Sequence, residues 1–271
     1  MKPSSPIPSE GLAQLLRQVQ VNIPFGMLCK NLDSIIISGL QPEIYFNGEV
    51  LDHLEGQKAQ RVAEKLRQKG TAITFHAPFM DLNPGAVDEK IREVTVFRFR
   101  QVMDLVPWFQ PRTIVFHPGY DRFCYDGDVD LWLEKSLLTW RPLVEQAIPL
   151  GVRLAIENVF EENPSILKRL FTALDTPAIG YCLDAGHGHL FSEVPLEAWV
   201  EDLGPWLIET HLHDNLGSRD DHLPIGHGKI DFKALFGALG RKGLKPIHTI
   251  EPHQVEHLVP TLEGLAPFLK P

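Results

Sequence analysis

Eight short apolar runs, each followed by a longer stretch with helical spacing, divide this chain from one end to the other. The runs are Val19–Phe25, Glu43–Phe46, Ala72–His76, Thr113–His117, Arg153–Asn158, Ile179–Asp184, Ile208–His213 and Pro246–Glu251. They are apolar at nearly every position rather than at alternate ones, the pattern of strands covered on both faces. Between them lie helix formers, as in Asp52–Lys69, where Leu54, Val62, Ala63 and Leu66 fall on one side. Other helical stretches are Leu32–Ser38, Val87–Val106, Leu131–Leu150, a segment opening at Pro164-Ser165, Pro195–Leu203, Phe232–Leu239 and a closing helix to about Leu269. Gly70, Gly151 and Gly243 stand where a helix would end before the next strand. Strand-then-helix repeated eight times predicts an α/β fold with a parallel sheet closed on itself, a (β/α)8 TIM barrel. A doubly wound open sheet is the alternative, but no G-x-G-x-x-G follows the first strand.

The length, 271 residues, suits one such barrel, so residues 1–271 are read as a single domain with a loose tail over 1–15. Met1–Glu10 is rich in proline and serine and lacks the apolar core of a signal peptide. No apolar run approaches the ~20 residues that cross a bilayer, and the expectation is a cytoplasmic protein without a membrane partner. The three cysteines, Cys29, Cys124 and Cys182, are scattered without a CxxC spacing, which points to neither a zinc knuckle nor a disulfide framework. Cys182 sits within an apolar run and reads as a small core residue. The formal net charge of −9 argues against a nucleic-acid partner, since a duplex binder carries a basic footprint.

The ends of the runs carry the chemistry. Six of them close on or near a metal-ligand type: His76, His117, Glu157, Asp184, His211 and Glu251. In a closed barrel the active site lies where the strands finish, so these side chains are expected to converge. The following loops add His187, three residues beyond Asp184, and Asp220-Asp221-His222. Two like charges ~5 Å apart at an effective dielectric of ~20 repel by about 3 kcal/mol. Either protonation or a cation must offset that repulsion, and with imidazoles present a cation is the better answer. Histidine and carboxylate ligands without thiolate suit Mn²⁺, Zn²⁺, Co²⁺ or Fe²⁺, whereas Mg²⁺ prefers all-oxygen shells. His211 and His213, two apart on one strand, point the same way and compete for one ligand position. Asp214 is a candidate to hold the free ring nitrogen of a ligand. Lys229, in Gly226-His227-Gly228-Lys229, is a candidate contact for an anionic substrate, although an isolated lysine is more often solvated.

Dispersed motifs in this order resemble the xylose isomerase-like TIM barrels, the superfamily that also holds endonuclease IV. They are His76-Ala77-Pro78-Phe79, Phe116-His117-Pro118-Gly119, Ile156-Glu157-Asn158, Leu183-Asp184-Ala185-Gly186-His187, His211-Leu212-His213-Asp214, Asp220-Asp221-His222-Leu223-Pro224-Ile225-Gly226 and Ile250-Glu251. The resemblance implies a metal core of Glu157, Asp184, His211 and Glu251, with Glu157 and Glu251 also moving a proton as in the sugar isomerases and epimerases. It also implies that His187 helps hold the substrate's oxygens. Similarity to endonuclease IV would add His76, His117, His187, Asp220 and His222 as ligands of a three-zinc cluster. The chain departs from endonuclease IV in its first strand, which lacks Gly-x-His, and in Gly226-His227-Gly228, where Gly-Glu-Gly is usual.

Three functions follow. The first is a divalent-metal-dependent isomerase or epimerase of a sugar or sugar-like small molecule, holding one to three Mn²⁺, Zn²⁺ or Co²⁺ ions, with Glu157 and Glu251 catalytic and His187, His213 and Lys229 toward the substrate. The alternative is an endonuclease IV-like zinc phosphodiesterase on abasic DNA, favoured by the full histidine complement and disfavoured by charge. The third is a non-catalytic ligand sensor, or a hydrolase or lyase on another small substrate. Substrate identity, the metal and the oligomeric state are not written in the sequence.

Overall fold

All eight expected strands form in the computed structural model, which describes residues 10–269. They are β1 (Gln20–Pro24), β2 (Gln41–Tyr45), β3 (Thr74–His76), β4 (Thr113–Phe116), β5 (Arg153–Glu157), β6 (Ile179–Asp184), β7 (Leu207–Leu212) and β8 (Ile247–Ile250). Each pairs in parallel with the next, and β8 returns to β1, with Gln20 opposite Thr249 and Val21 opposite Ile250, so the sheet is a closed barrel. The single-domain (β/α)8 reading holds. Among the described residues no helix is long and apolar enough to cross a membrane.

Local chemistry places the helices. Asp88, Asp128 and Asp231 each accept a hydrogen bond from a backbone N–H two or three residues on, fixing the starts of Glu89–Met103, Val129–Leu150 and Phe232–Lys242. Gly151 and Gly243 adopt the left-handed conformation that ends the last two of these helices, as their positions predicted.

Several helices differ from expectation. The first helix after β1 spans Phe25–Ser38 and kinks at Asn31, so the predicted start near Leu32 is its second half. The stretch read as one helix over Asp52–Lys69 is two, Gly48–Asp52 and Gly56–Gln68. A short helix, Ala185–Phe191, begins directly at the end of β6; two glycines in seven residues hide it from propensity. Glu10–Leu16 is helical, buries Leu16 and packs near Leu258–Leu265, which shortens the expected tail. The rest of that tail, residues 1–9, lies outside the described residues.

The main core lies between barrel and helices. It includes aromatic clusters such as Phe46, Phe75 and Phe109, and Phe99, Phe116 and Trp140. Inside the barrel the packing is different. A small apolar layer of Val115, Ala155 and Cys182 is accompanied by charged and hydroxyl side chains. Glu43 on β2 reaches Asn22 on β1, Thr74 on β3 and His211 on β7. Glu209 on β7 reaches Thr113 on β4 and Thr249 on β8. Contacts between strands that are not neighbours in the sheet can form only across the barrel's interior.

Candidate metal centre

The strand ends meet at one rim. Glu157, the last residue of β5, is buried among four imidazoles. Its Oε2 lies 3.2 Å from His76 Nε2 and 3.3 Å from His117 Nε2. Its Oε1 lies 3.1 Å from His187 Nδ1 and 3.5 Å from His211 Nδ1. Asp184, the last residue of β6, sits 3.1 Å from His213 Nε2 through Oδ2. Glu251, just beyond β8, places Oε1 3.4 Å from His211 Nδ1. Asp220 joins from the loop after β7, 3.0 Å from His222 Nε2, 3.6 Å from His187 Nε2 and 3.7 Å from His213 Nδ1. All nine expected ligand residues and His213 are thus neighbours. Lys229 is not among them: it lies in the turn where its backbone N–H donates to Asn215, and among the described residues no ion pair joins it to the cluster. Asp214 does not reach a histidine either. Its carboxylate accepts the backbone N–H groups of Asn215, Gly226, Gly228 and Ile230, which ties down the loop after β7.

His211 and His213 do not exclude each other. His211 Nδ1 faces Glu157 and Glu251, whereas His213 faces Asp184 and Asp220. The short helix Ala185–Phe191 makes room for the second of these rings. A Cβ on Gly186 would lie 1.9 Å from His213 Cε1, so this position tolerates no side chain while the ring is where it is.

Several ring nitrogens are pinned. His76 Nδ1–H donates to the Ala77 carbonyl at 2.8 Å, His187 Nδ1–H to that of Asn158 at 3.1 Å, and His222 Nδ1–H to that of Glu251 at 3.1 Å. His211 differs: its Nε2 faces the Glu43 carboxylate at 3.3 Å rather than a backbone carbonyl. With one nitrogen committed as donor, the other nitrogens of His76 and His222 turn toward carboxylate oxygens, and both nitrogens of His211 do. A lone pair against a carboxylate is repulsive unless a second proton or a cation lies between.

The electrostatics follow. Burial opposes charge on Glu157, yet His211, His117 and His187 hold its carboxyl well below the usual range. Burial likewise opposes charge on His211, but the surrounding negative groups, including the carboxylates of Glu251, Glu43 and Glu157, outweigh it and hold the imidazole well above its usual range. His117 shifts the other way, because burial there exceeds the pull of Glu157. Asp220 is lowered: its burial is outweighed by the hydrogen bonds from His187 and His222.

These residues fit a divalent ion. The Nδ1 atoms of His211 and His213 are buried and have no hydrogen-bond partner. Buried polar atoms without partners are rare and call for an explanation. Nitrogen and oxygen donors gather within ligand reach in several overlapping groups, among them His76, His117 and Glu157; Glu157, Asp184 and His187; and His213, Asp220 and His222. Imidazole with carboxylate is the donor set of zinc, manganese and cobalt.

Beside the cluster opens a cavity of about 470 Å³, walled by Phe79, Phe160 and Phe191 and by His117, His187 and Asp220. Among the described residues no lysine or arginine lines it. Tyr120, Asp121 and Asp220 in its wall come from the loops after β4 and β7.

Other contributors escaped the sequence reading. Asn158 ties two strands together: its Oδ1 accepts the Asp184 N–H at 2.9 Å and the Tyr181 hydroxyl at 2.6 Å, and its Nδ2 donates to the Asp184 carbonyl, joining β5 to β6. Phe79 stacks on His117, and His253 on His222. Glu43 and Glu209 lie within strands, not at their ends. The signal for them was a carboxylate inside an otherwise apolar run.

Known proteins place the chain. An uncharacterized protein of Methanocaldococcus jannaschii is 30% identical over 206 residues, covering 73% of this chain and 70% of that one. A solved D-tagatose 3-epimerase-like protein superposes with a TM-score of 0.79 at 25% identity, covering 92% of this chain and 96% of that one. A protein of Thermus thermophilus, solved after soaking with ZnCl2, gives a TM-score of 0.73 at 26% identity, with 94% and 100% covered. The sequence profile of the xylose isomerase-like TIM barrel family matches residues 39–270, which include strands β2 to β8, and the chain is a member of that family.

Proposed function

We propose that the protein is a divalent-metal-dependent isomerase or epimerase acting on a small, uncharged sugar or sugar-like molecule. The observation that carries this is the pair of carboxylates that meet at His211: Glu157 from β5 and Glu251 from beyond β8, 3.5 and 3.4 Å from the same ring nitrogen, beside a cavity with no lysine or arginine among its described lining residues. Glu157, Asp184, His211 and Glu251 would hold the ion. Once bound, it supplies Lewis-acid polarisation of a carbonyl and the adjacent hydroxyl.

The chain's own residues do the rest. One of Glu157 and Glu251 removes the proton from the carbon next to the carbonyl, and the other returns a proton, on the opposite face for an epimerase. His187 faces both the cluster and the cavity and orients the substrate's oxygens. The aromatic wall excludes water and packs against the carbon face of the substrate. The absence of lysine and arginine from the described wall disfavours a phosphorylated substrate. The name of one solved relative, D-tagatose 3-epimerase-like protein, agrees with this class.

A second reading has its own support. Glu157 touches four histidines, the environment of a carboxylate shared by several ions, which suits a zinc phosphodiesterase. The net charge of −9 and the lack of lysine and arginine among the cavity's described lining residues weigh against a nucleic-acid substrate.

The test is proton exchange. Metal-loaded protein incubated in deuterium oxide with unphosphorylated ketoses and aldoses is expected to place deuterium next to the carbonyl as isomer or epimer forms. Glu157→Gln and Glu251→Gln should each abolish that exchange. Cleavage of an abasic-site oligonucleotide without exchange on any sugar would overturn the proposal in favour of the second reading.

A further inference from the structure

Glu43 has no place in the reaction above, yet it is a fully buried carboxylate in the middle of β2, aimed across the barrel at a candidate ligand. Its Oε1 accepts from Asn22 Nδ2 at 2.8 Å, its Oε2 from Thr74 Oγ1 at 3.4 Å, and Oε2 also takes the His211 Nε2–H at 3.3 Å. Strands on either side thus hold the carboxylate, and the carboxylate holds the ring. Burying a charge so deeply is costly unless it is paired, so a hydrophobic residue would be the simpler filling for this site. A second carboxylate, Glu209, lies close enough to share a ligand-sized space with Glu43 and His211, but its hydrogen bonds go to Thr113 and Thr249 and none reaches the ring.

We infer that Glu43 is a positioning residue: by accepting the His211 Nε2–H it holds the ring with Nδ1 directed at Glu157, Asp184 and Glu251, so that Nδ1, once its own proton is lost, is the nitrogen placed to bind an ion. His76, His187 and His222 use backbone carbonyls for the corresponding task. His211 is fully buried, and its Nε2 bonds to no carbonyl, so a side chain from the far wall serves. An imidazole free to carry its proton on Nδ1 would present N–H to the ion's place and could not ligate. The inference rests on the metal-centre reading, but its central claim, the tautomer, concerns the metal-free protein.

Two measurements test it. Long-range ¹H–¹⁵N correlation spectra of the metal-free protein should show the His211 ring protonated on Nε2 in the wild type and in Glu43→Gln, whose amide oxygen still accepts. In Glu43→Asp, one methylene shorter, the acceptor is withdrawn and the Nδ1–H form should appear. Titration with Mn²⁺ alone should then give a dissociation constant about 10–100-fold weaker for Glu43→Asp, and less than about 10-fold weaker for Glu43→Gln. A wild-type His211 protonated on Nδ1 alone, with no proton on Nε2, overturns the inference, as does a Glu43→Asp protein that binds Mn²⁺ as the wild type does. A wild type that binds no Mn²⁺ or Zn²⁺ overturns the metal-centre reading instead, while the tautomer measurement still decides the role of Glu43.

Discussion

Gly186→Ala separates packing of the fold from assembly of the site. The added Cβ would lie 1.9 Å from His213 Cε1 and 2.6 Å from both ring nitrogens. Restoring an ordinary carbon contact of about 3.5 Å from 1.9 Å requires about 1.6 Å of relative movement between helix and ring. His213 cannot swing freely, because it stacks on His222 at 3.7 Å and meets Asp184 at 3.1 Å. Overpacking of this kind costs about 1–3 kcal/mol, and alanine for glycine in a helix returns about 1 kcal/mol. The net loss of stability is therefore about 0–2 kcal/mol, a fall in melting temperature of at most about 4–8 °C for a chain of this size. The effect on the site is far larger: a ligand-side ring displaced by more than an ångström should weaken metal binding about 10–100-fold and lower turnover by about 10²-fold or more. Thermal unfolding, Mn²⁺ titration and sugar turnover measure the three quantities. Gly188→Ala is the control, since its Cβ would meet Leu196 Cδ2, the end of a flexible side chain, and no candidate ligand. A Gly186→Ala protein with wild-type metal affinity and turnover, or a Gly188→Ala protein that loses both equally, would refute the reasoning.

Glu161 supplies a pH dependence. Its carboxyl is buried, its Oε1 has no partner, and burial pushes its pKa from 4.5 up to about 8 despite the hydrogen bond from the Val159 N–H. Between those values the unfolded chain releases the proton and the folded chain keeps it, so stability falls as pH rises through this window and levels off above about 8. Glu161→Gln should remove this component, and its advantage in urea unfolding should grow from near zero at pH 4.5 to at most roughly 3 kcal/mol near neutral pH; a constant difference across the window counts against the assignment. Chelation should lower the melting temperature of the protein as purified. Adding Mn²⁺ or Zn²⁺ back at about 1,000 times its dissociation constant should restore about 4 kcal/mol. Identical unfolding curves with and without metal would sink the metal centre.

Much of the architecture was legible because its physics is local. Apolar runs such as Ile179–Asp184 fit strands buried on both faces, and aspartate caps and terminal glycines mark the ends of several helices. Where local rules conflict the reading slipped. Ala185–Phe191 is a helix despite Gly186 and Gly188, because contact with His213 and Leu196 demands small residues there. The residues of the centre were legible for a similar reason: in a closed parallel barrel every strand ends at the same rim, so strand-end histidines and carboxylates must gather.

What the sequence could not determine is how each of those side chains points. His211 and His213 read as rivals for one role, and the structure gives them different carboxylates. Asp214 and Lys229 read as candidate site residues, but the first binds backbone amides and the second makes no ion pair with the cluster among the described residues. Glu43 was missed because its partner lies 168 positions away and on the opposite wall of the barrel. The pattern of apolar and polar residues decides which strands form and which rim collects the ligand types, since each depends on neighbours in sequence. Ring orientation and the buried groups behind the candidate ligands depend on contacts across the barrel, and only closure of the sheet brings those groups together.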